Sequence, residues 1–273
     1  MTRKILLIGI DGLRIDDALA GGWMPALGSF MDTTATARIT MEVPTISGPG
    51  WSSLLTGADH GAHGVFDNSF LGHRLAGHPD LLSVAAAEHP GLTTFVATGW
   101  PPLGDPAGPG PVFAPRADSQ REGRHRLVIR DGEVYGYRWA DGEIGAASRL
   151  AVREAGPDAS FVYLGEIDEA GHLYGGTSPE YRQAAARVDA HLAGLLHAVA
   201  VRAQAGEEWS VGVTTDHGHL DAGGHGGGED VVRRSFFALG RFAGETFTAP
   251  PSGLPEQIEA VDVPGFMLAE LRG

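Results

Sequence analysis

Cysteine is absent from this 273-residue chain. That excludes a disulfide framework, a thiolate zinc site and a cysteine nucleophile, so any metal must be held by His, Asp, Glu or a hydroxyl. Basic residues are scarce: 20 Lys and Arg face 34 Asp and Glu, for a net charge of -14. Surfaces that coat a nucleic-acid polymer or an anionic membrane need clustered Lys and Arg, so neither partner is expected. An acidic chain still binds phosphate locally where metal cations neutralise its carboxylates. Phosphate-loop signatures are missing too. There is no GxxxxGK[ST] and no strand-linked GxGxxG, so the glycine-rich stretch 223–228 is not a nucleotide cradle. The apolar run Ile5–Ile10 is interrupted by Gly9 and ended by Asp11, too short for a secretory h-region or a membrane span. A buried first strand and a cytoplasmic location are the expectation.

What the chain does contain is an alternation of strand and helix patterns. Ile5–Ile10, Ser160–Leu164 and Trp209–Thr214 are apolar, β-branched-rich runs of the kind that form parallel strands covered on both faces. Residues 179–204 place Val188, Leu192, Leu195, Leu196 and Val199 on one helical face. The expected fold is α/β, a doubly wound, mostly parallel central sheet with helices on both faces, spanning 1–273 as a single domain. Residues 99–140 read as a small cap or insertion within it. Prolines crowd 99–118, and Asp131-Gly132 between two apolar runs predicts a β-hairpin over Leu127–Tyr137.

The stretch Val43-Pro44-Thr45-Ile46-Ser47-Gly48-Pro49-Gly50-Trp51 carries the first chemistry. An extended segment ends in a hydroxyl, turns at Gly48 and enters a short helix with Pro49 in its first turn and Gly57 past its end. Ser47 then sits at a helix N-terminus, where unpaired N–H groups and the helix dipole favour a phosphoryl group or a developing alkoxide. A hydroxyl needs a base or a metal to become a nucleophile. Read locally, Ser47 is equally a helix cap.

Candidates for that activation fall at strand ends. Asp11 follows the first strand, Asp168 and His172 a central one, and Asp216 and His217 a later one, with His225 on a fourth loop. In a parallel sheet these ends lie on one side, so residues far apart in sequence converge. Carboxylates mixed with imidazoles suit a pair of catalytic divalent ions, which at about 4 Å separation clamp the attacking and leaving oxygens of a phosphoryl transfer. Each residue also has a plainer reading. Asp168 and His172 could be a surface i,i+4 pair, Asp216-His217-Gly218-His219 a turn, and the glycine cluster a flexible loop; their joint fall at strand ends favours a site.

Taken in order, Asp11-Gly12, Pro44-Thr45-x-Ser47-x-Pro49, His63-Gly64-Val65-x-x-Asn68, Asp168-x-x-x-His172, Asp216-His217-Gly218 and Gly224-His225-Gly226 resemble the alkaline phosphatase superfamily. Within it, the pattern is similar to the nucleotide pyrophosphatase/phosphodiesterase branch. The resemblance implies two divalent ions, Zn2+ first with Mn2+ or Fe as alternatives. One is held by Asp11, Asp216 and His217 with the Ser47 oxygen, the other by Asp168, His172 and His225. It also implies that Ser47 attacks phosphorus, that a covalent phosphoryl-enzyme forms, and that water activated at the other ion releases it. Asn68 and the Gly48 N–H are expected to donate to a phosphoryl oxygen. The branch commonly carries Thr at the nucleophile position and Asn after the following proline, where this chain has Ser47 and Gly50. Gly50 and Trp51 are therefore expected to shape the pocket wall. Arg14, the one cation close in sequence to a proposed ligand, is a candidate substrate contact. A sulfatase is excluded, because Trp51 stands where that signature has Arg and there is no Cys to convert to formylglycine.

The sequence thus points to a two-metal phosphoester hydrolase with a serine nucleophile, acting on a small phosphodiester or a nucleotide-type pyrophosphate. A phosphomonoesterase on a nucleotide-derived or biosynthetic small molecule is the alternative. A metal-binding module without catalysis is a remote one, and the oligomeric state is left open.

Overall fold

The computed structural model describes residues 3–243 and 245–272. Its centre is a nine-stranded sheet made of β1 (Lys4–Ile10), β2 (Ala35–Thr40), β3 (Thr94–Thr98), β4 (His125–Ile129), β5 (Ala159–Leu164), β6 (Trp209–Thr214), β7 (Arg234–Ala243), β8 (Thr246–Thr248) and β9 (Gln257–Ile258). The strands are ordered β4-β3-β5-β1-β6-β7-β2-β9, with β8 beside β7. From β4 to β6 every neighbour is parallel, while β7 runs antiparallel to β6 and β2. The expected α/β class is the observed one.

The run Ile5–Ile10 is apolar on both sides because β1 faces two cores. Leu6, Ile8 and Ile10 pack with Val188, Leu192 and Leu195 of the Pro179–Gln204 helix. Ile5 and Leu7 face the other layer, among Trp51, Leu54 and Leu55 of the Ser47–Thr56 helix and Met267 and Leu271 of the Val263–Arg272 helix. Each such side chain contributes about 1.5–3 kcal/mol when fully buried. Among the described residues the Pro179–Gln204 helix is the one long and apolar enough to cross a membrane by length and composition; here its apolar stripe lies against the sheet.

The β-hairpin expected around Asp131-Gly132 does not form. β4 is a parallel neighbour of β3 in the main sheet, with Thr94 opposite His125 and Thr98 opposite Ile129. Asp131 then accepts the N–H groups of Glu133 and Val134 at 3.0 and 3.2 Å, which caps a short helix, Gly132–Tyr135. A second helix, Tyr137–Leu150, comes next. Asp before Gly serves a helix start as well as a tight turn, and the neighbouring sheet edge decides between them.

Candidate active site

The sheet order builds the site. β1 lies between β5 and β6, so Asp11, just past β1, is flanked by the segments leaving the C-terminal ends of both neighbours. Past β6 come Thr215, Asp216 and His217. Past β5 the chain enters the helix Glu166–Tyr174, with Asp168 in its first turn and His172 in its last. That helix start is fixed by Asp141, a fully buried residue whose carboxylate accepts the N–H groups of Gly165 at 3.0 Å and Glu166 at 2.8 Å. Burial pushes the Asp141 carboxyl up to about 8. Nothing in the local sequence marks this residue as part of the site.

One group of side chains centres on His217. Its Nε2 lies 3.4 Å from Asp11 Oδ1, 3.3 Å from Asp216 Oδ2 and 3.2 Å from Ser47 Oγ. The other ring nitrogen, Nδ1, is 3.0 Å from the Gly218 carbonyl, so Nδ1 carries the proton and Nε2 presents a lone pair. Asp11 Oδ2 accepts the Trp51 indole N–H and the Tyr163 hydroxyl, each at 2.8 Å, and Asp216 Oδ1 accepts the Gly12 N–H at 3.3 Å. The remaining oxygens, Asp11 Oδ1 and Asp216 Oδ2, are buried without a hydrogen-bond partner. Burial first, then the charge of Asp168, pushes Asp11 up to about 8 against the pull of its hydrogen bonds. Asp216 is held well above the carboxylate range by burial and by Asp11 and Asp168. Burial, with His225 alongside, holds His217 well below the usual imidazole range. Two orphaned, mutually repelling carboxylate oxygens and a lone-pair nitrogen converging on one point fit a cation.

The second group surrounds Asp168. His172 Nε2 is 3.5 Å from Asp168 Oδ2, His225 Nε2 is 3.6 Å from Oδ1, and the two imidazole Nε2 atoms are 3.0 Å apart. His225 Nδ1 lies 2.7 Å from the Thr45 carbonyl, which again leaves Nε2 as the lone-pair nitrogen. Thr45 also ties the glycine-rich loop down, since its hydroxyl donates to the Gly227 carbonyl and accepts the Gly226 N–H. Burial raises Asp168, but the hydrogen bond from His219 and the charges of His217, His219 and His225 outweigh it and hold the group below the usual carboxylate range. All seven residues expected as metal ligands therefore lie in these two groups. Ligand pairs on one tetrahedral zinc, with bonds of about 2.0–2.2 Å, sit about 3.3–3.6 Å apart. The separations above run from 3.0 to 3.6 Å, close to that spacing with the His172–His225 pair the shortest, so the residues fit a metal.

Ser47 begins the Ser47–Thr56 helix, which ends on Gly57 in the left-handed conformation, as the sequence indicates. The loop carrying Asn68 is anchored by His63, whose Nδ1 accepts the Val65 N–H at 3.0 Å and whose Nε2 meets Ser53 Oγ at 3.1 Å. Burial and the neighbouring His60 push His63 down to about 4, so it is neutral. Asn68 Oδ1 accepts the Gly48 N–H at 2.8 Å. That N–H is thereby occupied, which corrects the expectation that it faces a phosphoryl oxygen directly.

Ser47, Asn68, Asp168, His172 and His225 line one side of a cavity of about 280 Å3. Trp100, Glu133, Tyr137, Tyr163, Glu169 and Leu173 form the rest. A larger cavity of about 470 Å3, bordered by Thr93, Thr94, Arg124 and Arg126, contains none of the proposed site residues. Two further expectations are corrected. Trp51 is fully buried, its ring edge-on to Tyr163 and Phe161, so it orients Asp11 and leaves the cavity wall to others; a Cβ on Gly50 would face Asp216. Arg14 is paired with Asp17 and Asp221, each at 2.6 Å, and lies outside the cavity.

The family model for type I phosphodiesterase / nucleotide pyrophosphatase matches residues 5–234. No curated protein sequence matches. Among solved structures, phosphonoacetate hydrolase from Sinorhizobium meliloti 1021, in complex with phosphonoacetate, is similar at 21% identity and TM-score 0.57 over 80% of this chain, which spans 56% of that protein's length. Murine ectonucleotide pyrophosphatase/phosphodiesterase 5, in an inactive form complexed with AMP, gives TM-score 0.67 at 14% identity, covering 98% of this chain and 95% of that one. At such identities these two likenesses speak for the fold. The family match covers most of the chain, including every residue of both candidate metal groups, and the chain belongs to the type I phosphodiesterase / nucleotide pyrophosphatase family.

Proposed function

We propose that the protein is a metal-dependent phosphoester hydrolase with Ser47 as nucleophile, acting on a small phosphodiester. The observation that carries this reading is the placement of Ser47 Oγ 3.2 Å from His217 Nε2, on the same point as the orphaned oxygens of Asp11 and Asp216. Divalent ions held by Asp11, Asp216 and His217 and by Asp168, His172 and His225 would lower the pKa of the Ser47 hydroxyl and neutralise phosphoryl charge. Zn2+ suits this oxygen and nitrogen set.

Ser47 Oγ, its proton lost to solvent, forms a bond to phosphorus while the bond to the leaving ester oxygen breaks, the electron pair staying on that oxygen, which takes up a proton from water. Water then displaces Ser47, releasing a phosphomonoester. Asn68 spends its carbonyl on Gly48, so its amide N–H groups remain for a phosphoryl oxygen at the cavity wall.

The charge of the cavity wall supports a ranking of substrates. Among the described residues no Lys or Arg lines the cavity, whereas Glu133 and Glu169 do. A monoester dianion or a leaving group with further phosphates brings extra negative charge toward those carboxylates, so a diester with an uncharged or cationic leaving group is favoured over both. The test is a panel of matched aryl monoesters, aryl diesters and pyrophosphates on metal-quantified protein. The highest kcat/KM is expected on the diester; a strong monoester preference, or no turnover of any ester by metal-loaded protein, would overturn the reading.

A further inference from the structure

His219 belongs to neither metal group expected from the sequence, yet it sits against both. It is fully buried, with Nε2 2.7 Å from Asp168 Oδ1. One donor atom each from Asp168, His217, His219 and His225 falls within 4.8 Å of all the others, which on proximity alone would admit His219 as a ligand. The separations argue against that. Pairs within the two groups lie at 3.0 to 3.6 Å, close to the edge of a tetrahedral zinc site at about 3.3–3.6 Å. At 2.7 Å, the His219–Asp168 contact is instead a charge-assisted hydrogen bond.

We propose that His219 is a positioning residue: its Nε2–H donates to Asp168 Oδ1 and fixes the carboxylate that, with His172 and His225, holds the second metal. The inference rests on the metal-dependent reading above. Asp168 Oδ2, 3.5 Å from His172 Nε2, and the second lone pair of Oδ1, 3.6 Å from His225 Nε2, remain for the ion. Packing holds the donor in place. The imidazole lies on Gly171, where a Cβ would come within 2.6 Å of the ring, and edge-on to Tyr181 with ring centres 6.1 Å apart. Gly171 stands between Asp168 and His172 on the same helix. The helix that supplies two ligands therefore also supplies the gap that seats the residue orienting one of them. Outer partners of this kind typically account for about 10–100-fold in metal affinity.

The test measures bound zinc and affinity, by competition with a chromophoric chelator, in the wild type and in His219→Ala, His219→Gln and Gly171→Ala. The wild type should bind two ions. His219→Ala should weaken one of them about 10–100-fold and leave the other nearly unchanged. His219→Gln, which keeps an N–H donor, should restore most of the loss. Gly171→Ala, which displaces the ring without removing it, should behave like His219→Ala. Should His219→Ala fail to fold, the Gln and Gly171 variants carry the comparison. Unchanged affinity for both ions in His219→Ala and Gly171→Ala would overturn the proposal. So would complete loss of one ion in His219→Gln, which would make His219 a ligand. A wild type that binds no metal would instead sink the functional reading itself.

Discussion

The Gly48 N–H donates to Asn68 Oδ1 at 2.8 Å, joining the first turn of the nucleophile helix to a loop twenty residues on. A Cβ at Gly48 would lie 2.8 Å from the Asp67 carbonyl and 3.0 Å from Asn68 Oδ1, so a side chain there must push the Asn68 loop away. Asn68→Ala is expected to lower kcat/KM by about 10²–10³-fold, the usual loss of one preorganised donor. Gly48→Ala should reduce kcat in the same direction and also lower Tm, since its Cβ would press on the Asp67 backbone carbonyl. Steady-state kinetics on an aryl diester decide, and unaltered kcat/KM in Asn68→Ala would show that the amide does not meet the reacting group.

Ser47→Ala removes the attacking oxygen and one contact of His217. Turnover is expected to fall by at least about 10³-fold, as when a covalent nucleophile is deleted, with fold and bound metal retained. Ser47→Thr keeps a hydroxyl and should keep measurable activity. Quantifying metal beside the rate separates a lost nucleophile from a lost metal site, and wild-type turnover in Ser47→Ala would remove Ser47 from the chemistry.

These residues differ in how visible they are in the sequence. Asp11, Asp168 and Asp216 stand at or soon after the ends of apolar runs, and parallel pairing of β5, β1 and β6 turns that position into proximity. Trp51 and Arg14 depart from their expected roles because those roles depend on direction. Trp51 is one turn into a helix and points back at the sheet, and Arg14 is held away from the cavity by two carboxylates, one of which, Asp221, is 207 positions along the chain. Asp141 acts on the start of another helix, which no local pattern encodes. For His219 there was one signal: in extended chain, residues two apart share a face, so His217-x-His219 places both imidazoles on the same side.

Metal binding should be proton-linked through Asp11. In the metal-free protein this carboxyl is raised from 3.8 to about 8, chiefly by burial. Between those values the folded state holds a proton that the unfolded state has lost. The stabilisation is complete below about pH 4 and is lost as pH rises to about 8. A cation must displace that proton and the one that burial keeps on Asp216, so zinc affinity should climb as pH rises through the neutral range. Calorimetric titration in buffers of different ionisation heat should detect proton release near pH 6 to 7, and the Tm gain on adding Zn2+ should be larger at pH 8 than at pH 6. A metal affinity independent of pH would contradict the assignment of Asp11 as a ligand.

Glu133 and Glu169 should set the preference between ester classes. Glu133 Oε1 accepts the Trp100 indole N–H at 3.1 Å, and Glu169 Oε1 accepts the Tyr137 N–H at 3.2 Å, so both carboxylates are held at the cavity wall. Neither has a Lys, Arg or His ion-pair partner among the described residues. A monoester carries one more negative charge than a diester. Two unit charges about 8 Å apart at an effective dielectric of about 30 repel by about 1.4 kcal/mol, or tenfold. Glu133→Gln and Glu169→Gln should therefore each raise the ratio of monoester to diester kcat/KM by up to about tenfold, the double variant by more, and added salt should blunt the effect. Unchanged ratios in the double variant would mean that the carboxylates do not sense the substrate's charge, and the preference for a diester would lose its physical basis.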